Sequence, residues 1–140
     1  MNKKKTVQKT EISESAAHLP EHGPIDETGR EVLLSLKNVD ITFGKGDNAN
    51  RAVKNATFDI YKGETFSLVG ESGSGKSVTA YSIMQILAST GKIVSGSIKL
   101  DGQELVGADE SVMKTVRGNK VSIIFQDPMT SLNPTYTIGH

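Results

Sequence analysis

Eight consecutive residues, 70–77, have the composition needed to surround a polyphosphate. They read GESGSGKS and match the pattern G-x-x-x-x-G-K-[ST] at every fixed position. A triphosphate is bound when several backbone N–H groups converge on its oxygens, and Gly73 and Gly75 leave room for that approach. The ammonium of Lys76 can reach the β and γ phosphates, and the hydroxyl of Ser77 can join the coordination shell of Mg²⁺. The spacing therefore predicts a site for a nucleoside triphosphate together with Mg²⁺.

The alternative interpretation of these residues is a glycine-rich surface loop followed by a solvated lysine. A chance match to the pattern in a chain of 140 residues has a probability below about one per cent. The neighbouring segments also suit the motif, because a strand pattern precedes it and a helix pattern follows it. A helix that begins at the loop directs its unpaired N–H groups and the positive end of its dipole at the phosphates.

The elements that must position the loop can be predicted from apolar periodicity. Val39, Ile41 and Phe43 alternate with polar residues, as in a half-buried strand, and a second strand is predicted over 52–60. A turn at Lys62 and Gly63 leads to a third strand over 65–69, which runs into the loop. The helix is predicted over 76–89 with Gly91 as its stop, and its apolar face consists of Ala80, Ile83, Met84 and Leu87.

Three further elements are predicted after this helix. Asp101 and Gly102 follow an alternating strand and form a two-residue hairpin signal. A short polar helix is predicted over 109–117. The run 121–125 is apolar and β-branched enough for a strand that is buried on both faces.

Composition excludes several classes of protein. The 16 basic and 16 acidic residues cancel, so overall charge gives no attraction to nucleic acid, which is not expected as a partner. The chain has no cysteine, which rules out disulfides and thiolate metal sites. Its apolar stretches are far shorter than the roughly 20 residues that span a bilayer. Residues 1–30 are polar and rich in charge, so we expect a disordered extension there, followed by a domain over 31–140.

Two segments carry a resemblance to a known family. The sequences VGESGSGKSVTAYSIMQIL (69–87) and VSIIFQDPMTSLNP (121–134) resemble the nucleotide-binding domain of ABC transporters, specifically the oligopeptide and dipeptide (also nickel) importer subfamily. The resemblance covers about 32–140 and implies an α/β fold of the P-loop NTPase type, with a mixed sheet whose early strands are antiparallel. It further implies an ATP-binding subunit that couples ATP hydrolysis to peptide import.

The resemblance also assigns roles to individual residues. Gln126 matches the Q-loop residue, which helps to hold Mg²⁺ and the attacking water and relays nucleotide state to the membrane subunits. Catalytic roles are implied for Lys76 and Gln126, and Mg²⁺ ligation for Ser77 and Gln126. Phe43 is the nearest match to the aromatic residue that stacks on adenine, although it can equally be a core residue at a strand end. The implied nucleotide-binding residues are Gly70, Glu71, Ser72, Gly73, Ser74, Gly75, Lys76, Ser77, Val78, Phe43 and Val53.

The family pattern continues with a signature motif, an Asp-Glu strand and a switch histidine, none of which is present. We therefore expect a truncated, incomplete domain that is poorly soluble alone and inactive in hydrolysis. The implied partners are transmembrane permease subunits, a second ATP-binding subunit and, indirectly, a substrate-binding protein. The implied location is peripheral, at the cytoplasmic face of the cell membrane.

Two alternative functions remain open from the sequence. One is another P-loop enzyme, such as a kinase or GTPase, in which Asp127 would ligate Mg²⁺ at a strand end. No guanine-selective N-K-x-D motif is present to support a GTPase. The other is a nucleotide-binding fragment without turnover.

Overall fold

The computed structural model describes residues 23–46 and 49–126. The four strands are β1 (Val32–Phe43), β2 (Asn50–Tyr61), β3 (Gly91–Leu100) and β4 (Gln103–Glu104), and the two helices are α1 (Lys76–Ile83) and α2 (Glu110–Val116). The predictions for 1–22, for Asp127 and for the segment 127–134 lie outside the described residues.

The strands form one open sheet in the order β2-β1-β3-β4, and each neighbouring pair is antiparallel. This confirms the antiparallel early strands. The sheet described in 23–46 and 49–126 contains no parallel pair of strands, so the mixed character predicted for it is not seen there. The predicted hairpin after β3 is confirmed, since Asp101 and Gly102 both have positive φ, 49° and 78°, as a two-residue turn between antiparallel strands requires.

β1 lies at the centre of the sheet and carries much of the core. A bulge at Asn38, where φ is 51°, shifts the register so that both Leu36 and Val39 are fully buried. Gly96 of β3 lies against this bulge, because a Cβ built on it would be 2.5 Å from the carbonyl oxygen of Asn38. The side chains of the core cluster are Leu34, Leu36, Val39, Ile41, Val53, Ile98, Leu100, Leu105, Met113 and Val116.

Asp40 of β1 forms hydrogen bonds to residues of both neighbouring strands, β2 and β3, beside the bulge. Its carboxylate accepts hydrogen bonds from the backbone N–H of Asn55 at 2.9 Å, from Arg51 Nη2 at 2.6 Å and from Ser95 Oγ at 2.9 Å. These donors favour the charged carboxylate, with the Asn55 amide contributing most, and they lower the pKa of Asp40 to about 2.

Helix α1 is shorter than predicted, because it ends at Ile83 rather than near Ser89. The chain leaves the helix through Gln85 at φ 51°, with N–H bonds from Gln85 to Ser82 O and from Ile86 to Tyr81 O. This is the Schellman pattern, in which the residue after the cap is usually glycine. Gly91, predicted as the stop, instead begins β3. The short helix predicted over 109–117 is confirmed by α2.

The strand predicted over 65–69 is wrong, because these residues pair with no strand in the described part of the chain. The ring of Phe66 stacks on that of Phe58 at a centroid distance of 4.9 Å, while Val69 is 88% exposed. An apolar run of this kind is typical of a strand covered on both faces, and the run alone does not supply the covering neighbours.

The strand predicted over 121–125 is also wrong in this structure. The segment makes only an isolated bridge, between Arg117 and Val121, and Ile124 is 93% exposed rather than buried. One end of it does contact α1, since the ring of Phe125 lies 6.0 Å from that of Tyr81. The segment thus runs beside the helix that follows the glycine-rich loop.

Candidate nucleotide-binding site

The glycine-rich loop, residues 70–77, follows β2 and includes the first two residues of α1. Gly75 is the N-cap of α1 and has φ 90°, in the left-handed region. A Cβ on Gly75 would be 2.6 Å from the carbonyl oxygen of Ala52 and 3.0 Å from Val53 Cγ2. Glycine is therefore required here both by backbone conformation and by the close approach of β2.

The N-terminus of α1 is left open for an anion. No side chain caps it, and no acidic residue occupies its first turn. The first backbone N–H groups of a helix have no partner within the helix, and the dipole adds partial positive charge at the same point. Thr79 stabilises the N-terminal end of α1, because its backbone N–H and its Oγ1 both donate to Gly75 O, at 2.8 Å and 2.9 Å.

Lys76 is folded back over the loop that precedes it. Its Nζ donates to Gly70 O at 2.7 Å, to Glu71 O at 2.6 Å and to Ser74 Oγ at 3.2 Å. The Ser74 hydroxyl also lies close to Gly70, since a Cβ built on Gly70 would be 2.8 Å from Ser74 Oγ. The two short contacts to carbonyl oxygens fix the ammonium within the curve of the loop, and the longer contact to a hydroxyl is the weakest of the three.

Two cavities meet at this loop. The first, the β2-side cavity, has a volume of about 500 Å³ and its lining includes Arg51, Val53, Lys54, Gly70 and Lys76. The second, the α1-side cavity, has a volume of about 340 Å³ and its lining includes Ser72, Ser77, Val78 and Gln126. Gly73, Ser74, Gly75 and Lys76 line both cavities. Most of the predicted nucleotide-binding residues therefore lie around one continuous loop.

Gln126 lies near the loop although it is 50 residues away from Lys76 in the sequence. It lines the α1-side cavity together with the hydroxyl-bearing Ser77. This places the residue predicted from the Q-loop resemblance on the same side of the loop as the predicted Mg²⁺ ligand. Its catalytic and metal roles stay predictions.

Phe43 lies apart from both cavities. Its ring packs over Gly91 at the start of β3, where a Cβ would be only 2.7 Å from Phe43 Cε1. The residue is partly buried against the core cluster. The structure brings Val53, but not Phe43, to the glycine-rich loop, and adenine stacking by Phe43 stays a prediction.

Sequence reasoning missed the basic residues that line the β2-side cavity. Arg51 and Lys54 lie on β2 and are exposed, and Arg51 is oriented by the carboxylate of Asp40. These two cationic side chains line the β2-side cavity and add to the positive potential that favours phosphate there. Their charge was visible in the sequence, but their position at the loop depends on how β2 passes beneath Gly75.

Comparison with models of known protein families tests the resemblance to ABC transporters. The family model described as ABC transporter matches residues 53–140, which is more than half of the chain. This chain belongs to the ABC transporter family. Membership shows the ABC ATPase fold and implies nucleotide binding, and residues 70–77 lie inside the matched range. The resemblance seen in the sequence is thereby confirmed.

Relatives within the ABC transporter family include proteins named for peptide transport. The dipeptide transport ATP-binding protein DppD of Bacillus subtilis is 46% identical and is matched over 78% of this chain and 33% of its own length. The oligopeptide transport ATP-binding protein AppD of the same species is 51% identical, with 76% of this chain and 33% of the relative covered. The oligopeptide transport ATP-binding protein OppD of Escherichia coli is 41% identical, with 83% and 34% covered.

This ABC transporter chain spans about a third of the length of these curated relatives. Neither α1 nor α2, the helices of the described ranges, has the length and apolar character required to cross a bilayer. In the same ranges, no three His, Asp or Glu side chains are grouped as a metal site.

Proposed function

We propose that this chain is the phosphate-binding part of the ATP-binding subunit of an ABC-type peptide importer, the subunit that couples ATP binding and hydrolysis to transport. The observation that carries the proposal is the loop 70–77, with Lys76 held inside it at 2.6–2.7 Å from two backbone carbonyl oxygens. Peptide as the cargo is supported by the relatives, which are named for dipeptide and oligopeptide transport.

The loop binds phosphate through groups that are already oriented. The open N-terminus of α1 supplies N–H donors, and Lys76 supplies a charge that its contacts with Gly70 O and Glu71 O hold in position. Its third donor, now directed at Ser74 Oγ, is the one that a phosphate oxygen can take over. Little rearrangement is needed, and preorganisation of this kind raises affinity by lowering the ordering cost.

The residues present fit a magnesium ion bound together with phosphate. Mg²⁺ prefers oxygen ligands and is usually held by few protein groups together with substrate phosphates. The Ser77 hydroxyl and the Gln126 side-chain oxygen are such ligands, and both residues line the α1-side cavity. A Mg²⁺ ion held by these two residues would neutralise the charge that develops on the phosphates during phosphoryl transfer to water.

The proposal extends to the assembly. Transmembrane permease subunits, a second ATP-binding subunit and, indirectly, a substrate-binding protein are the proposed partners, with this chain peripheral at the cytoplasmic face of the membrane. Hydrolysis is proposed for that assembly, and nucleotide binding for the 140 residues themselves.

Calorimetric titration with Mg-ATP tests the proposal. Replacing Lys76→Ala should weaken binding roughly 10- to 100-fold, as expected for losing a charged hydrogen bond of about 1.5–3 kcal/mol. Lys99→Ala is the matched control, because Lys99 is an exposed lysine of β3 that lines neither loop cavity. A parallel titration with Mg-GTP compares the two bases. Equal affinity of the parent and Lys76→Ala for Mg-ATP contradicts the proposal, and a marked preference for GTP removes ATP as the substrate.

A further inference from the structure

Arg117, at the C-terminal end of α2, reaches across to the C-terminal end of α1. Its Nε donates to Met84 O at 2.8 Å, and its Nη2 donates to Gln85 O at 3.2 Å. A third nitrogen, Nη1, pairs with the exposed carboxylate of Glu110 at 2.7 Å. One side chain thus binds two consecutive backbone carbonyls at the C-terminal end of α1, opposite the end that carries the glycine-rich loop.

These two carbonyls lie where a helix needs an external partner. The last carbonyl oxygens of a helix lack partners within it, and the negative end of the dipole attracts a cation. α1 has no basic residue in its own last turn. Arg117 therefore provides, from 32 or 33 residues away, the charge and the donors that the end of α1 lacks.

The chain that follows Arg117 turns tightly. Gly118 N–H donates to Val121 O at 2.8 Å, and the N–H groups of Lys120 and Val121 both donate to Val116 O, at 2.9 Å and 3.1 Å. Gly118 has φ 77°, which suits this turn. The turn fixes the position of Val121 relative to Arg117.

From Val121 the chain runs back along α1 towards the loop. Val121 and Met84 line one apolar cavity of about 370 Å³ at the end of the helix. Phe125 lies beside Tyr81, with ring centroids 6.0 Å apart. Gln126 then lines the α1-side cavity with Ser77, at the start of the helix. Beyond the bridge at Val121, residues 122–126 make no strand pairing within the described chain, and all of them except Ile123 are exposed.

We infer that Arg117 is a positioning residue, which sets how far back along α1 the segment 121–126 extends and thereby holds Gln126 beside the glycine-rich loop. The inference rests on the proposed function for the role of Gln126, but the geometry can be tested without nucleotide. Helix α1 begins in the loop and is followed by the two carbonyls that Arg117 binds. The contact of Arg117 therefore attaches the segment 121–126 to the same helix that carries the loop.

Distance measurements between two spin labels test the inference. The chain has no cysteine, so Lys54→Cys on β2 and Ile124→Cys on the segment create a unique pair at exposed positions. The parent pair is expected to give one narrow distance distribution. Arg117→Met, which keeps an unbranched apolar side chain without donors, should give a broader or displaced distribution. Glu110→Gln is the matched control, because it weakens the exposed ion pair and leaves both carbonyl bonds.

Nucleotide titrations of the unlabelled variants give a second readout. For Arg117→Met, the gain in ATP affinity on adding Mg²⁺ should fall roughly tenfold, as is typical when a group that orients a metal ligand is lost. The affinity for ATP without Mg²⁺ should stay at the parent value, because the loop itself is intact. A purely structural role for Arg117 would lower thermal stability without moving either readout in the folded variant.

The outcomes separate the two proposals. A folded Arg117→Met variant with the parent's distance distribution overturns the role of Arg117. If that variant does not fold, Arg117→Lys decides by the same comparison, since lysine keeps the charge but cannot reproduce both carbonyl bonds in the geometry of a guanidinium. Absence of ATP binding in the parent contradicts the proposed function, while the distance result still tests Arg117.

Discussion

Gly75 shows how strongly one position of the site is constrained. Its φ of 90° and the 2.6 Å approach of Ala52 O to a built Cβ act on the same residue for different reasons. The first constrains the loop itself, and the second constrains how closely the loop lies on β2. Both constraints act at the N-cap of α1, where the first backbone amides of the helix are exposed to a ligand.

Replacing Gly75→Ala should therefore reduce both stability and nucleotide affinity. A left-handed conformation costs an L-residue about 1–2 kcal/mol, and the clash with β2 adds to this cost. Gly63→Ala is the control, since Gly63 also has positive φ, at 76°, but nothing within 4 Å of a built Cβ. Urea unfolding of both variants measures the difference. Equal losses in the two variants would show that the contact with Ala52 is unimportant.

Asp40 gives the stability of the protein a dependence on acid pH. Its pKa is about 2 in the folded protein, below the ordinary value of 3.8, so its stabilising effect is complete above about 3.8 and is lost as the pH falls towards 2. Asp40→Asn should lower stability at neutral pH and flatten its decline in this window. Ser95→Ala, which removes one of the donors, should have a smaller effect in the same direction. Unfolding midpoints recorded against pH test this, and parallel curves for the parent and Asp40→Asn would refute it.

For individual residues, the sequence predicted the features that depend on neighbouring positions in the chain. Residues 70–77 are consecutive, so their spacing alone indicated the loop and the charge of Lys76. Asp40 joins Ser95 across 55 positions, and Arg117 joins Met84 across 33. Contacts between residues so far apart depend on the register of strands and the placement of helices, which single-residue patterns do not contain.

Among the elements, α1 deviates most informatively from prediction. Its apolar periodicity continues past Ile83, yet the helix ends there: Gln85 adopts the left-handed conformation, and Arg117 binds the carbonyls of Met84 and Gln85, the two residues after the helix. The sequence lacked the usual signal for this end, a glycine directly after the cap. Arg117, which is distant in the sequence, supplies hydrogen bonds at the helix end, where a glycine next to the cap would normally complete the termination.

The end of α1 provides a stability prediction. Gln85→Gly should raise the free energy of unfolding by about 1 kcal/mol, since glycine adopts positive φ without strain. The side-chain nitrogen of Gln85 is buried without a hydrogen-bond partner, so little is lost with it. Asn55→Gly is the control at a similar φ of 49°, where the gain should be smaller because asparagine tolerates this region. A loss of stability in Gln85→Gly, measured by urea unfolding, would contradict the cause given for the helix end.

The segments 65–69 and 121–125 show why strand prediction from apolar runs was incomplete. β1 and β2 were predicted well because antiparallel neighbours and a half-buried face produce alternation in the sequence itself. The two apolar runs lack alternation, and whether such a run forms a strand depends on neighbours that the run does not specify.

For the whole molecule, the exposed parts of these two segments affect solubility. Val69 and Ile124 are 88% and 93% exposed, and they belong to segments whose backbone pairs with no named strand in the described ranges. Exposed apolar side chains on segments without strand partners favour association. Ile124→Ser should reduce concentration-dependent association without lowering stability, and sedimentation velocity measures it. Val94→Ser, at an exposed valine of the paired strand β3, should have less effect. An unmodified protein that remains monomeric at high concentration would contradict this.

The central claim is that the backbone amides of residues 70–77 bind the phosphates of a nucleotide. The most direct test is a titration of ¹⁵N-labelled protein with Mg-ATP, followed by the amide resonances. We predict saturable shifts centred on Gly73, Gly75, Lys76 and Ser77, with Ser97 and Lys99 on the outer face of the sheet unchanged, and loss of these shifts in Lys76→Ala. A folded protein whose loop amides do not respond to Mg-ATP, or respond equally in Lys76→Ala, would contradict the claim.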